Sequence, residues 1–262
     1  IYIALIFTLL YIPILVLILF SFNSTGNTGG FTGFSLYWYR ELFSSPATFT
    51  ALKNTLVLAV SAAVISTLIG TAAAVGIGKF KNRAVKGAVL SLTNVPMMNP
   101  DIVTGISMML LFVFVGTLLN SEENLGFATI LIAHITFCLP YVRVSVRPRV
   151  LQLNKSLKEA AMDLGCTPFK SFFKAELPSI MPGVVSGFIM AFTLSLDDVV
   201  ISYFTTGTDF QTLPLLIYSM TKKEVTPDIY ALSALMIGAV LLLLILSNLA
   251  DRRSGVKEAR VK

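Results

Sequence analysis

Charge is scarce in this chain. Only 13% of its 262 residues are Asp, Glu, Lys or Arg, against about 25% in a soluble domain. That shortage excludes an ordinary water-soluble fold. Cysteine is scarce as well. Cys138 lies in an apolar run and Cys166 in a polar connection, so neither a disulfide framework nor a thiolate metal site is expected. The one histidine, His134, stands alone in an apolar run and reads as a hydrogen-bonded packing residue. The Gly-rich run with Lys that cradles nucleotide phosphates is missing, so ATP is not expected to bind here in that way. No nucleophile lies at a plausible spacing from a base. The chain is expected to be no enzyme and to carry no cofactor of its own.

What is present is mostly apolar: 55% of the residues, with a mean hydropathy of +0.80. Several windows hold about 20 largely apolar residues, enough to cross a bilayer core of about 30 Å. Spans are expected near 1–20, 54–78, 88–118, 127–147, 181–203 and 229–250. The fold class is thus an all-α membrane protein with one transmembrane domain over 1–250 and a basic tail over 251–262. The third span is interrupted by Pro96 and Pro100. Ile1 already lies in an apolar run, so the natural start is expected upstream, and a cleaved signal peptide is not.

The basic residues are distributed unevenly. Sixteen of the twenty Lys and Arg fall in the 79–86 connection, the 143–174 region and the C-terminal tail. Arg40, Lys53, Lys222 and Lys223 lie on the other side. The positive-inside rule places the rich side in the cytoplasm, together with both termini. The net charge of +6 is spread between spans and is no nucleic-acid signal. The outer side holds a 21–53 loop, a short loop with Glu122 and Glu123, and a 204–228 loop in which Leu213–Tyr218 reads as a short interfacial helix. Trp38, the only tryptophan, sits between Tyr37 and Tyr39. It suits either an interfacial belt or a gate that stacks an ammonium on its indole face.

Residues 159–178 read EAAMDLGCTPFKSFFKAELP, and their spacing predicts a helical hairpin. Ser156 and Glu159 form a capping box. Leu157, Ala160, Ala161 and Leu164 share one face. Gly165 then ends the helix in the left-handed conformation. Thr167 and Pro168 start a second helix as N-cap and first residue, with Phe169, Phe172, Phe173 and Leu177 as its stripe. Pro178 and Pro182 are expected to break that helix before the next span. Such a hairpin cannot bury its stripes alone.

The Glu159-Ala160-Ala161 triplet, Gly165 and Leu177-Pro178 resemble the EAA loop of ABC importer permeases. Asn99–Val103, His134–Pro140 and Ser195–Val200 extend the resemblance to the second permease subunit of spermidine/putrescine importers, over nearly the full chain. The resemblance implies the type I permease architecture of six transmembrane helices, in a bacterial inner membrane, with a cytoplasmic coupling loop over 150–180. It implies a heterodimer with a second permease subunit, two ATPase subunits that hold ATP and Mg, and an extracytoplasmic polyamine-binding protein, besides membrane lipid. Glu159, Ala160, Ala161 and Gly165 would then meet the ATPase.

Three carboxylates lie inside the expected spans: Asp101, Asp197 and Asp198. Each costs roughly 2.5–3.5 kcal/mol at a helix centre on insertion scales. With outward-running helices starting near 87 and 182, Asp101 and Asp197 both fall about 21–23 Å from the inner face. No Lys or Arg in the spans matches that depth, which suggests that the cation is the cargo. Asp197 and Asp198 are expected about 100° apart on one helix. Ser195 could accept an N–H from the same cargo or simply pack. Alternatively, Asp101 caps the outer half of a broken helix, and the Asp pair bridges to another subunit. A different small solute, an ion-coupled secondary transporter and a non-transporting membrane subunit are the alternative functions.

Overall fold

A chain that crosses lipid must satisfy every backbone N–H and C=O internally, which leaves helices as the simplest solution for apolar runs of this length. The computed structural model describes residues 2–25, 30–78, 80, 82–120, 125–222, 228–242 and 245. Lys79, Lys81, Glu122, Glu123, Lys223, the end of the last expected span and the basic tail lie outside these. Among the described residues there is no β-strand, only an isolated bridge between Asn23 and Phe34. Among the described residues, four helices are long and apolar enough to span a membrane: Pro46–Gly78, Asp101–Leu118, Phe127–Gln152 and Pro168–Leu196. Leu5–Phe20 and Asp228–Leu242 are shorter apolar helices.

The chain divides into two units. The first holds residues 1–55 and 210–244. It comprises α1 (Tyr2–Phe20), α2 (Tyr37–Ser44), the start of α3 (Pro46–Gly78), α10 (Leu213–Thr221) and α11 (Asp228–Leu242). Leu42, Ala51, Leu213, Ala231 and Leu232 form its core. The loop after α1 is organised by Asn23. Its buried side chain donates to the Gly30 carbonyl at 2.9 Å and accepts from the Thr32 amide at 2.9 Å. The first turn of α10 is fixed by the Leu213 N–H, which donates to Thr55 Oγ1 at 2.7 Å.

The second unit holds the described residues of 56–209. Besides the rest of α3 it contains α4 (Arg83–Met98), α5 (Asp101–Leu118), α6 (Phe127–Gln152), α7 (Lys155–Asp163), α8 (Pro168–Leu196) and α9 (Val200–Thr205). Its core is the seam between α6 and α8, with Phe137, Cys138, Val142, Val146, Ile180 and Ala191 at the centre. Gly183 and Gly187 let α8 lie close on α6. A Cβ on Gly187 would sit 3.2 Å from Val142 Cγ1, and one on Gly183 3.2 Å from the Ser145 carbonyl oxygen. Small residues four apart serve helix contact in membranes in this way, because lipid gives no hydrophobic drive for association.

Several boundaries differ from the sequence reading. The third expected span is two helices, since α4 ends at Met98 and α5 begins at Asp101. Pro100 removes an amide donor at the break, whereas Pro96 stays inside α4. In the opposite sense, Pro178 and Pro182 do not interrupt α8. A π turn over Phe172–Glu176, in which the Leu177 N–H reaches back to the Phe172 carbonyl, widens the helix just before Pro178. That widening relieves the clash a proline ring makes with the preceding turn. Helix α6 runs on to Gln152, so Arg143, Arg147 and Arg149 are helical residues rather than part of a connection.

Candidate functional site

Two places in the second unit carry the chemistry. The first is built where helices break. Helix α8 ends at Leu196, Asp197 is its C-cap, and α9 starts at Val200. The two acids therefore do not share one continuous helix, and the 100° relationship expected of them does not apply. The Asp198 carboxylate accepts the N–H of Ser202 at 2.7 Å and that of Ile201 at 3.3 Å. It thus satisfies amides that a new helix start leaves unpaired. Asp101 likewise stands in the first turn of α5, where the helix dipole favours a negative charge. Asp101 and Asp198 thus stand at helix starts, where backbone dipoles lower the cost of a carboxylate, whereas Asp197 caps a helix C-terminus and has no such help.

His134 joins this cluster from α6. Its Nδ1 lies 2.7 Å from Ser195 Oγ, and its Nε2 lies 3.1 Å from Ser202 Oγ and 3.5 Å from Asp198 Oδ2. The imidazole is buried, and so are Ser195 and Ser202. His134 is therefore a hydrogen-bonded packing residue, as its isolation in the sequence suggested. Ser195 is a partner of His134 rather than an open hydroxyl. The Asp198 side chain is 7% exposed, whereas Asp197 and Asp101 are exposed.

The three carboxylates lie on elements packed beside α6 or on each other: α8 and α9 against α6, and α5 against α9. Asp197 and Asp198 both lie within electrostatic reach of Cys138, and Asp101 within reach of Tyr141, one turn along. Helix α5 brings Asp101 there by packing closely on α9: a Cβ on Gly105 would meet the Phe204 ring at 2.8 Å. Residues 87–142 and 175–221 contain neither Lys nor Arg, so the stretches of chain around the acids bring no cation with them, and Lys170 and Lys174 lie at the far end of α8.

Trp38 belongs to the first unit. Its Nε1 donates to the Asn23 carbonyl at 2.9 Å, its ring meets Tyr37 edge-on at 5.1 Å, and it packs on the core of that unit. The indole N–H is thereby committed to the loop after α1.

The second place is the hairpin. Helix α7 starts from Asn154, whose side chain accepts the Ser156 N–H at 3.1 Å. Ser156 is thus inside the helix, and the expected capping box of Ser156 with Glu159 does not form. Asn154 is as good a cap and lies two residues earlier. The other end follows the sequence. Gly165 has φ +84°, its N–H donates to the Met162 carbonyl at 2.9 Å, and the Cys166 N–H donates to the Ala161 carbonyl at 3.1 Å. This is the paired bonding of a glycine-terminated helix. Thr167 Oγ1 then accepts the Lys170 N–H at 3.4 Å, with Pro168 next. Glu159 and Ala160 are exposed and Ala161 is half-buried. Leu164 is 86% exposed and Phe169 74%, so the apolar stripes are left largely uncovered.

Residues 66–255 match the family of binding-protein-dependent transport system inner membrane components. The chain belongs to that family. The putrescine transport system permease protein PotI of Escherichia coli strain K12 is 43% identical over 235 residues, covering 89% of this chain and 83% of that protein. The spermidine/putrescine transport system permease protein PotC of Haemophilus influenzae is 39% identical over 250 residues, covering 95% of each. Among solved structures, a bacterial ABC transporter that imports the acidic polysaccharide alginate superposes with a TM-score of 0.74 at 16% identity, over 95% of this chain and 92% of that one. An amino acid ABC transporter with histidines gives 0.58 at 20% identity, over 83% and 96%. The chain is therefore a membrane-embedded permease subunit with an ABC importer fold. It is not the ATPase, which in such transporters is a separate subunit.

Proposed function

We propose that this permease forms half of the pathway of an ATP-driven polyamine importer. The observation that carries the reading is that Asp101, Asp197 and Asp198 stand at helix ends on elements packed on one another beside α6, in segments 87–142 and 175–221 that hold no Lys or Arg. A linear polyamine brings several ammonium groups and would supply the missing positive charge. An anionic cargo would call for Arg or a helix N-terminus open to it. The likeness to PotI and PotC, whose names specify putrescine and spermidine, supports the same cargo. Asp101 and Asp197 are the exposed members of the set and make the direct contacts. Asp198 holds the break in shape, and Ser195 acts through His134.

The rest of the assembly follows from the hairpin. The uncovered face around Leu164 and Phe169 needs an apolar partner, and the cytoplasmic ATPase fits. Glu159, Ala160, Ala161 and Gly165 lie on that same helix and turn. The second helix of the hairpin is continuous with a membrane span. Movement of the ATPase therefore reaches the span through a single helix, with the π turn at Phe172–Glu176 as its softest point. Both termini and the hairpin face the cytoplasm in this reading, a second permease completes the pathway, and an extracytoplasmic binding protein delivers the cargo. The deciding experiment is uptake of labelled putrescine and spermidine by the reconstituted complex. ATP-dependent accumulation of either is expected. Accumulation of neither, by a complex whose ATPase responds to another binding protein's cargo, would assign a different solute.

A further inference from the structure

Arg143 is the largest fully buried side chain of the described residues. Its Nη2 donates to Asn94 Oδ1. Its Nε and Nη1 are buried and have no hydrogen-bond partner. A buried ion left without a counter-charge is strongly disfavoured, so a group of opposite sign is called for. The guanidinium lines a narrow, open cleft whose wall also includes Lys86 and Arg147. None of the nine residues around the cleft is acidic. Lys86 is half-buried and Arg147 exposed, so one cation forms the floor and two stand at the mouth. The remaining wall is apolar, with Leu90, Val150 and Leu151, and Leu151 is 71% exposed.

The cleft lies where α3 ends, α4 begins and α6 leaves its span. That is the level at which phospholipid headgroups meet a membrane protein. Three cations beside exposed aliphatic side chains suit a phosphate that carries a hydrophobic body. We propose that this cleft binds the phosphate of an anionic phospholipid, with Lys86 and Arg147 as direct ligands and Arg143 as the buried charge beneath them. A basic pocket between spans is a recognised form of headgroup site. The site rests on the membrane embedding of the chain and is independent of the cargo.

The test uses the assembled transporter in nanodiscs of phosphatidylcholine, with and without added phosphatidylglycerol, and separately with inorganic phosphate. Lipid retained on the complex is counted by native mass spectrometry, and thermal stability is followed in parallel. Phosphatidylglycerol is expected to be retained and to raise the melting temperature, whereas inorganic phosphate does not. The Lys86→Gln/Arg147→Gln variant is expected to retain about tenfold less, the scale of losing charged hydrogen bonds. Arg143→Met removes the buried charge with little change of volume. It is expected to abolish the dependence on phosphatidylglycerol while remaining folded in phosphatidylcholine. Equal stabilisation by inorganic phosphate would assign a soluble phosphate and overturn the lipid. Retention that survives both variants, or no preference for phosphatidylglycerol, would overturn the site.

Discussion

His134 Nε2 and Asp198 Oδ2 stand 3.5 Å apart in the seam between α6 and the break that follows α8. This contact, together with the Ser202 and Ile201 amides, makes Asp198 a structural anchor. Its neighbour Asp197 is exposed. The two adjacent acids therefore differ in setting: one is bonded into the break, and the other is exposed.

That division is testable by paired substitutions. Asp197→Asn is expected to lower polyamine uptake at limiting substrate by on the order of tenfold, the scale of one charged hydrogen bond, with assembly unchanged. Asp198→Asn keeps one acceptor but loses the charge that holds two amides and His134. It is expected to destabilise the subunit by about 1–3 kcal/mol, seen as a lower melting temperature and reduced recovery of the complex. Equal uptake by wild type and the Asp197 variant would remove that residue from the pathway.

The hairpin offers a sharper case, because one backbone angle decides it. Gly165 at φ +84° occupies a region that costs an L-residue roughly 1–2 kcal/mol, and more when the side chain is β-branched. Gly165→Val is expected to unwind the turn between α7 and α8 and to uncouple the ATPase, so that binding protein no longer stimulates hydrolysis. Gly165→Asn, which tolerates this conformation, is expected to retain most of the stimulation. Normal stimulation in the Val variant would show that coupling does not run through this turn.

How much of this was legible in the sequence depended on whether the signal was local. Gly165 and Thr167-Pro168 each act on their own backbone, and both ends they predicted are present. The α7 start was misplaced because Asn154 and Ser156 are both capping residues, and only the folded chain chooses between them. The break at Asp197–Asp198 carries no Gly or Pro, so nothing in the local sequence separates it from a continuing span. Its cause is tertiary: Asp198 finds better partners in two amides and His134 than a helix would give it. Arg143 misled for a related reason, since counting it with the connection hid that it is buried at the level of Asn94. The role of Gly183 and Gly187 came only from the structure, since what they pack against is set by the fold.

Orientation can be checked at the hairpin itself. Cys166 is a half-buried free thiol and Cys138 a buried one, so Cys166 is first replaced by Ser. Lys170→Cys in that background places a thiol on an exposed position of α8. A membrane-impermeant maleimide is expected to label it only when added from the cytoplasmic side. Labelling from outside would invert the topology and, with it, the placement of the ATPase.

The close approach of α3 to α6 sets the last prediction. A Cβ on Gly70 would fall 2.8 Å from Val142 Cγ1 and 2.9 Å from Val142 Cβ, with the Leu139 carbonyl oxygen at 3.3 Å. Val142 is itself fully buried against α8, so it cannot swing aside, and a helix backbone stands behind it. Gly70→Val must therefore push two spans apart rather than rotate a side chain. Overpacking of this kind costs about 1–3 kcal/mol, and a lower melting temperature of the detergent-solubilised complex is the expected reading. Pairing it with Val142→Ala removes the atoms that clash and is expected to restore part of the loss. A double variant no more stable than Gly70→Val alone would show that the contact with Val142 is not what makes glycine necessary at this position.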